Sequence, residues 1–344
     1  RAHLADGYAQ AMVCNSGNAN TCNADGIDVA NEMCRLVAAA AGVPEDDVIV
    51  ASTGVIGQPL PMEPIARAMP GLAAALSADG AQAAAEAIMT TDLRVKQIAV
   101  EADLGGVTAR IGAMAKGSGM IQPNMATMLC FVTTDAAISP SMLHKALFSA
   151  VDETFNMVSV DGDTSTNDMV AIMASGLAGN APIDAEGPDF AAFASALRYV
   201  LEALAREVAR DGEGATKLIT CRVTGAPDQA GARAVAKAVV NSPLVKTMMF
   251  GADANSGRIM CAIGYAPSDF AVDRVEVRLA SRAGEIAVCR DGFGLPFNEA
   301  EAKKILLEKD IDVHIALNQG TFGAVAWGCD LTYDYVKING DYRS

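Results

Sequence analysis

The hydrophobic pattern of this chain switches repeatedly between strand-like and helix-like spacing, without a regular strand, helix, strand rhythm. The clearest helical stripe lies in residues 189–210, where apolar side chains recur every three or four positions. Strand-like runs such as KLITCRVTG stand among helical stretches in no fixed order. A doubly wound parallel sheet needs regular alternation, so the pattern favours an α+β fold of layered sheets and helices.

The same periodicities place individual elements along the chain. Before residue 127 they predict strands near 8–14, 97–103 and 107–115, a strand at DVIVAS, a helix over 27–41, and helical pieces over 63–88 that break at Met69-Pro70-Gly71. After it they predict a strand at MLCFVTTD, a helix starting at Ser139-Pro140, helices over 189–210, 228–240 and 298–308, several strands between 258 and 290, and two final strands.

Composition limits the classes of function. The 344 residues are 51% hydrophobic, which is enough for a large core divided between two domains or two packed lobes. The formal net charge of -15 disfavours nucleic acids and anionic lipid surfaces as partners. No run of 18 or more strongly apolar residues is present, so we expect a soluble protein.

The eight cysteines form no C-x-x-C pair and the chain has only three histidines, so neither a zinc site nor a disulfide framework is indicated. Most of the cysteines stand in apolar stretches, as buried thiols of a reducing compartment do. We therefore expect a cytoplasmic protein. The chain begins with Arg1 instead of Met, so a targeting segment could have preceded it.

Common catalytic motifs are absent from the sequence. It has no G-x-S-x-G elbow, H-E-x-x-H pair, phosphate-binding P-loop or G-x-G-x-x-G fingerprint. His314 lies in the apolar run DVHIALN, where a core histidine is the simpler interpretation. Nucleophilic chemistry in this chain therefore needs a base other than histidine.

The segment from Lys116 to Leu129, KGSGMIQPNMATML, is a poor structural element because two glycines, a proline and an asparagine separate two strands. It can be a plain connection. Alternatively, the small Ala126 leaves its carbonyl open to the Thr127 hydroxyl, so that an N-to-O acyl shift and hydrolysis free an N-terminal threonine. The new α-amine, with an ordinary pKa of about 7.7 to 8.0, would then serve as the base for its own hydroxyl.

Two polar loops have competing interpretations. Residues 161–168, DGDTSTND, fail the calcium-loop pattern because Thr166 and Ile172 stand where glycine and glutamate are required, which favours a turn whose side chains bond their own backbone. Residues 250–258 either contact an anionic substrate through Arg258 or form an ordinary polar loop.

Five motifs together carry a family resemblance: KGSGMIQPNMATML, SVDGDTSTND, RDGEGATK, KTMMFGADANSGRI and CDLTYDYVKINGDYRS. They resemble the ornithine acetyltransferase family, also called glutamate N-acetyltransferase, over essentially the whole chain. The resemblance implies self-cleavage between Ala126 and Thr127, at the interface of two lobes. Residues 1–126 would form an α-chain and residues 127–344 a β-chain, which stay together, usually as an α2β2 heterotetramer.

The resemblance also implies the reaction. Thr127 would take acetyl from N-acetylornithine, release ornithine and pass the acetyl group to glutamate in arginine biosynthesis, without a cofactor. Whether acetyl-CoA is a second donor stays open. The implied oxyanion hole is Thr53 with Gly54, and the implied substrate-binding residues are Thr90, Lys116, Thr127, Glu213, Asn339 and Ser344.

Departures from the family pattern bear on substrate preference and leave the nucleophile intact. Ser256 stands where tryptophan is usual, Gln122 where histidine or alanine is common, and Arg94 lies in an atypical stretch near the implied substrate threonine. Two rivals remain at this stage. One is an N-terminal-threonine amidohydrolase or aminopeptidase that uses water as acceptor, and the other is a catalytically silent metabolite-binding protein.

Overall fold

The computed structural model describes residues 2–122 and 128–341, and in these ranges thirteen strands form three sheets beside ten α-helices. The strands are β1 (Ala11–Asn18), β2 (Val48–Val55), β3 (Lys96–Leu104), β4 (Val107–Lys116), β5 (Leu129–Thr134), β6 (Val158–Ser159), β7 (Met169–Ala174), β8 (Leu218–Ala226), β9 (Glu276–Ser281), β10 (Gly284–Arg290), β11 (Phe293–Gly294), β12 (Asp310–Ala316) and β13 (Phe322–Cys329). The helices are α1 (Gly26–Ala41), α2 (Met62–Ala74), α3 (Ala81–Ala87), α4 (Pro140–Glu153), α5 (Pro188–Arg210), α6 (Gln229–Asn241), α7 (Pro243–Gly251), α8 (Ser256–Gly264), α9 (Glu299–Leu306) and α10 (Tyr333–Asp341).

A small α/β unit begins the chain. Strands β1 and β2 pair in parallel, and α1 and α2 cover them through a core that includes Val13, Met33 and Met69. A second small core, which includes Ala51 of β2 and Phe131 of β5, packs the pair against the next sheet. The last residues of β2 therefore lie close to the strands on both sides of residue 127.

The four-stranded sheet has the order β3-β4-β5-β7 and combines strands from before and after residue 127. Strand β4 is antiparallel to both β3 and β5, and its last residue, Lys116, pairs with Leu129. Strand β7 runs parallel to β5. Scission after residue 126 would thus leave one sheet whose strands belong to two fragments.

The third sheet has seven strands in the order β11-β10-β9-β12-β8-β13-β6. Helix α5 contacts β3 and β4 of the four-stranded sheet and β13 of this one, while α6 covers β8 and β13. The apolar stripe of α5 is fully buried at Phe193, Leu197 and Leu201. Each such side chain contributes about 1.5 to 3 kcal/mol of burial free energy, so α5 is central to the large core.

The structure confirms the α+β class with layered sheets and most of the predicted elements. Its first strand is shifted toward the Asn/Gly-rich segment, since β1 covers Ala11–Asn18 and not 8–14. The predicted helix break at Met69-Pro70-Gly71 is wrong, because α2 continues to Ala74. Pro70 removes one backbone donor, but the buried Met69 holds that turn in the small core.

Several strands were predicted between residues 258 and 290, and β9 and β10 lie in that range, but the chain from Ser256 to Gly264 forms α8, after α7. Both helices are capped by side chains, because Ser242 Oγ accepts from the Val245 amide and the Asn255 side chain accepts from the Arg258 amide. The two final strands are confirmed as β12 and β13, but α10 follows them. Among the described residues, no helix is long and apolar enough to cross a membrane.

Candidate active site

A cavity of about 100 Å³ lies where the end of β2, the end of β4, the turn after α5 and helix α10 meet. Its walls are formed by Thr53, Gly54, Thr90, Thr91, Lys116, Gly119, Met120, Asp161, Asp163, Glu213, Tyr335 and Asn339. Six of the nine residues that the sequence predicted for the site therefore line this one cavity. The other three expected residues, Ala126, Thr127 and Ser344, lie outside the described residues.

A larger and more open groove lies between α1 and α2. Its walls consist of Leu36, Ala39, Ala40, Ala66, Met69, Pro70, Ala73 and Ala74. These side chains carry neither charge nor nucleophile, so this groove offers no means of orienting a polar substrate. The smaller cavity is the candidate active site.

The end of β2 brings its backbone to the cavity at Thr53 and Gly54. Thr53 is fully buried, and Gly54 has a φ of 122°, which favours glycine. A Cβ on Gly54 would lie 2.1 Å from the carbonyl carbon of Gly17, the residue that it faces on β1. The close approach of the two strands therefore requires glycine at position 54.

Lys116 ends β4 and points its ammonium group into the same cavity. Its Nζ donates a hydrogen bond to Thr90 Oγ1 at 3.0 Å. Burial lowers the pKa of Lys116, and the nearby Asp92 carboxylate opposes that shift. Within residues 2–122 and 128–341, no carboxylate oxygen comes within 4.0 Å of this ammonium, so it can receive an anionic substrate group.

Glu213 is held by hydrogen bonds from three segments of the chain. Its amide donates to the Ser118 carbonyl at 2.8 Å, and its carboxylate accepts from Thr91 Oγ1 and from Asn339 Nδ2, each at 2.8 Å. A Cβ on Gly119 would lie 2.4 Å from the Glu213 carboxyl carbon. Glycine at 119 thus allows the close approach, and Glu213 is a buried carboxylate in a fixed position.

Three acidic or phenolic groups of the cavity were not predicted from the sequence: Asp161, Asp163 and Tyr335. Asp161 accepts hydrogen bonds from the amides of Met120 at 2.7 Å and of Ile121 at 2.9 Å. Burial raises the pKa of Asp161. Burial also raises the pKa of Tyr335, and the charge of Asp161 adds to that effect.

The polar turn predicted at residues 161–168 is confirmed, because the Asp161 and Ser165 side chains accept from the amides of Asp163 and Asn167. What the turn pattern did not reveal is that Asp161 and Asp163 also face the cavity. The loop predicted over residues 250–258 is confirmed only for residues 252–255, which join α7 to α8, and Arg258 lies in α8. Its guanidinium donates to Leu244 O at 3.1 Å and to Thr247 Oγ1 at 3.3 Å, away from the cavity.

The segment that begins at Met128 lies beside Lys116. Met128 is buried, and its Cα lies 3.6 Å from where a Cβ on Gly117 would be. Its carbonyl accepts from the Met169 amide at 2.9 Å. The residue that follows Thr127 is therefore packed next to the cavity lysine.

The cavity combines one ammonium group with three carboxylates and several hydroxyl groups. A zwitterionic amino acid needs a cation for its carboxylate and a carboxylate for its ammonium group, and charge-assisted hydrogen bonds of this kind are the stronger ones. Lys116 and Glu213 supply one of each on opposite fragments of the predicted cleavage. The arrangement suits an amino acid or an acylated derivative.

Comparison with known proteins gives consistent matches. The model of the ArgJ family matches residues 1–344. The arginine biosynthesis bifunctional protein ArgJ of Symbiobacterium thermophilum is 53% identical over 345 residues, which cover 100% of this chain and 85% of the relative. The protein of the same name from Caldanaerobacter subterraneus subsp. tengcongensis is 50% identical, with coverage of 98% and 84%. A crystal structure of arginine biosynthesis bifunctional protein argJ from Bacillus halodurans matches with a TM-score of 0.59 and 49% identity, covering 62% of this chain and 98% of that one.

Proposed function

The chain belongs to the ArgJ family and is an acetyltransferase of arginine biosynthesis, and we propose that it transfers acetyl in the cavity between Thr53, Lys116 and Glu213. The reaction moves acetyl from N-acetylornithine to glutamate, as the sequence resemblance implied. Family membership favours this transferase over the amidohydrolase and the silent binding protein. The relatives carry a bifunctional name, so we propose acetyl-CoA as a second acetyl donor.

One observation carries the assignment of the site. Six residues from five separate segments of the family pattern line a single cavity, although they stand as far apart in sequence as Thr53 and Asn339. Motifs without a shared role have no reason to converge in this way. The convergence supports the roles that the resemblance assigns to them.

We propose that Thr127 is the nucleophile. Self-cleavage of the Ala126-Thr127 bond frees its α-amine, which takes the hydroxyl proton as the oxygen attacks the acetyl carbonyl of N-acetylornithine. The tetrahedral oxyanion then accepts hydrogen bonds from Thr53 and Gly54, worth about 3 to 4 kcal/mol at the transition state. Ornithine leaves with a proton, and the α-amine of glutamate attacks acetyl-Thr127 to give N-acetylglutamate.

Substrate recognition follows from the charges of the cavity. The Lys116 ammonium, hydrogen-bonded to Thr90, receives the α-carboxylate that N-acetylornithine and glutamate share. The Glu213 carboxylate, oriented by Asn339, receives the side-chain ammonium group of N-acetylornithine, whose α-nitrogen carries the acetyl group. We assign Ser344 to the same substrate site on the resemblance alone.

The two-fragment organisation is part of the proposal, with residues 1–126 and 127–344 as separate chains of an α2β2 assembly. One comparison supports it, because the matched Bacillus halodurans chain is covered almost completely by 62% of this chain. Residues 127–344 make up about the same fraction of this chain. The cytoplasmic location stays a prediction.

Replacing the nucleophile tests the mechanism. Because Thr127 supplies the attacking oxygen of both cleavage and transfer, Thr127→Ala is expected to give one uncut chain on a denaturing gel and no acetyl transfer. The wild-type protein gives two bands. Two fragments in the variant would show that another residue performs the cleavage.

Steady-state kinetics test the covalent intermediate. An acetyl-threonine predicts parallel double-reciprocal lines for N-acetylornithine and glutamate, and an acetyl adduct on the second fragment in mass spectrometry. Intersecting lines without an adduct would contradict it. Release of acetate that does not fall when glutamate is added would instead indicate a hydrolase.

A further inference from the structure

A buried group of three charges lies directly behind the cavity wall. The Lys96 ammonium is 2.7 Å from Asp92 Oδ1 and 2.6 Å from Asp211 Oδ2. The Lys96 and Asp92 side chains are fully buried, and that of Asp211 is 3% exposed. We call these three residues the buried ion triad.

Each carboxylate of the triad also holds a segment that carries a cavity residue. Asp92 accepts from the amide of Gly117, next to Lys116, at 2.7 Å and from the amide of Thr90 at 3.2 Å. Asp211 directly follows α5, two residues before Glu213, and accepts from the amides at 93 and 94 at 3.0 and 3.3 Å. The triad therefore connects the Thr90, Lys116 and Glu213 segments at one point.

The triad is a costly way to fill this space. Removing charges from water carries a penalty of several kcal/mol per ion, and apolar replacement of buried ion groups is often neutral or stabilising. Stability alone thus gives weak grounds for one ammonium and two carboxylates here. Their directional hydrogen bonds do what apolar packing cannot, because they fix the backbone at Gly117 and at residues 90–94.

We propose that Lys96, Asp92 and Asp211 are positioning residues for acetyl transfer, which hold Lys116 and Glu213 at a fixed separation across the predicted cleavage point. The proposal rests on the function assigned above to Lys116 and Glu213. None of the three lines the cavity, so they act through the residues that do.

The triad also affects the charge of Lys116. Among the described residues, the ionisable groups that influence the pKa of Lys116 are Asp92, Cys14, Lys96 and Asp168. Asp92 favours the protonated form of Lys116, while Lys96 disfavours it and burial lowers its pKa further. Lys116 binds a carboxylate only when protonated, so activity is lost as pH rises through its pKa.

The sign of each substitution follows. Removing the negative charge with Asp92→Asn lowers the pKa of Lys116, so the basic limb of the kcat/KM profile moves to lower pH. Removing the positive charge with Lys96→Met raises that pKa, so the limb moves to higher pH. A loss of local structure alone would not move the basic limb of the kcat/KM profile in opposite directions in the two variants.

The experiment compares Asp92→Asn, Lys96→Met and Lys96→Arg with wild type in acetyl transfer from N-acetylornithine to glutamate. We expect KM to rise about tenfold in each variant, with a smaller change in kcat, as for residues coupled in one network. Lys96→Arg keeps the charge and alters the shape, so its KM rises without a shift of the basic limb. If Lys96→Met does not fold, the other two variants carry the test.

Lys237→Met is the matched control. Lys237 is a partly buried lysine whose ammonium donates to a backbone carbonyl, that of Asn156, but neither residue lines the cavity. The KM and the kcat/KM pH profile of Lys237→Met should equal those of wild type. If folded triad variants keep KM within twofold and the same basic limb while wild type transfers acetyl, the positioning role is wrong. Absence of transfer in wild type would overturn the proposed function as well.

Discussion

Glu213 shows how a single carboxylate is prepared for a cationic partner. Both of its oxygens accept from neutral donors, Thr91 Oγ1 and Asn339 Nδ2, so its negative charge is oriented and uncompensated by these contacts. Glu213 is 9% exposed. Burial of this kind would place the proposed contact with a substrate ammonium in the strong, charge-assisted class.

Glu213→Gln is therefore expected to weaken acetyl transfer while leaving self-cleavage intact. The loss of a buried charge-assisted contact amounts to about 2 to 4 kcal/mol, or roughly 30- to 1,000-fold in kcat/KM. A denaturing gel should still show two fragments. The control Glu202→Gln removes a surface carboxylate that pairs with Arg198, and it should leave kcat/KM unchanged. A loss within threefold for Glu213→Gln would remove this residue from the substrate site.

Gly54 is required for its backbone conformation and for its lack of a Cβ atom. Gly54→Ala would place a Cβ 2.1 Å from the Gly17 carbonyl carbon at a φ of 122°, whereas the same change at Gly57, with a φ of 76°, meets nothing within 4 Å. Gly57→Ala should cost about 1 kcal/mol of unfolding free energy, from the positive φ alone. Gly54→Ala should cost more than about 2 kcal/mol and abolish transfer, because β1 and β2 must separate. Equal urea midpoints for the two variants would contradict this account.

Helix α10 lies against the cavity without a buried apolar face. None of its described residues is buried, although it supplies Tyr335 and Asn339 to the cavity. The first turn of α10 packs closely against Gly214, because a Cβ added at Gly214 would lie 2.4 Å from the Tyr335 amide nitrogen. Thr332 completes the attachment by donating to the Gly214 carbonyl at 2.7 Å and accepting from the Tyr335 amide.

Thr332→Val keeps the shape of the side chain and removes both hydrogen bonds. Each is worth about 1 kcal/mol, so α10 should dock less often over the cavity and KM should rise about five- to thirtyfold. Global unfolding by urea should shift little, since α10 buries no residue. Thr247→Val on α7, whose hydroxyl also bonds a carbonyl, is the control and should leave KM unchanged. An unaltered KM for Thr332→Val would mean that α10 is held by other contacts.

For the whole molecule, segments from before and after the predicted cleavage point pack together in the large core. Strand β4 pairs with β5, and α5 packs on β3 and β4, so each fragment completes the other. The buried pair of Lys96 and Asp211 also crosses between the fragments. Separation would expose apolar surface and unpair these charges.

The two fragments are therefore expected to elute together in gel filtration under native conditions and to separate only in denaturant. They should unfold in one transition, because neither retains a complete four-stranded sheet. Fragments that part in native buffer would show that the shared sheet does not hold them. The uncut Thr127→Ala chain should elute at the same volume, which controls for the shape of the assembly.

Local pattern predicted the longer helices that bury one face and missed three short helices. Helices α5 and α6 were predicted because their apolar stripes face the large core. Helix α10 has no buried face and left no periodic signal. Helices α7 and α8 did carry signals, the capping residues Ser242 and Asn255, but the apolar runs around them resemble strands.

The order of residues along the chain sufficed for the α+β class and the family, because motifs record which side chains the chemistry needs. Six of the residues that it predicted for the site line one cavity. That order did not reveal Asp161, Tyr335 or the buried ion triad. Without a known partner, a carboxylate in a sequence is expected to lie on the surface. Lys96 and Asp211 stand 115 residues apart in the sequence, so only the tertiary structure shows that they pair. Burial and charge pairing arise from such long-range packing, so the folded molecule alone fixed which charges face the cavity and which support it.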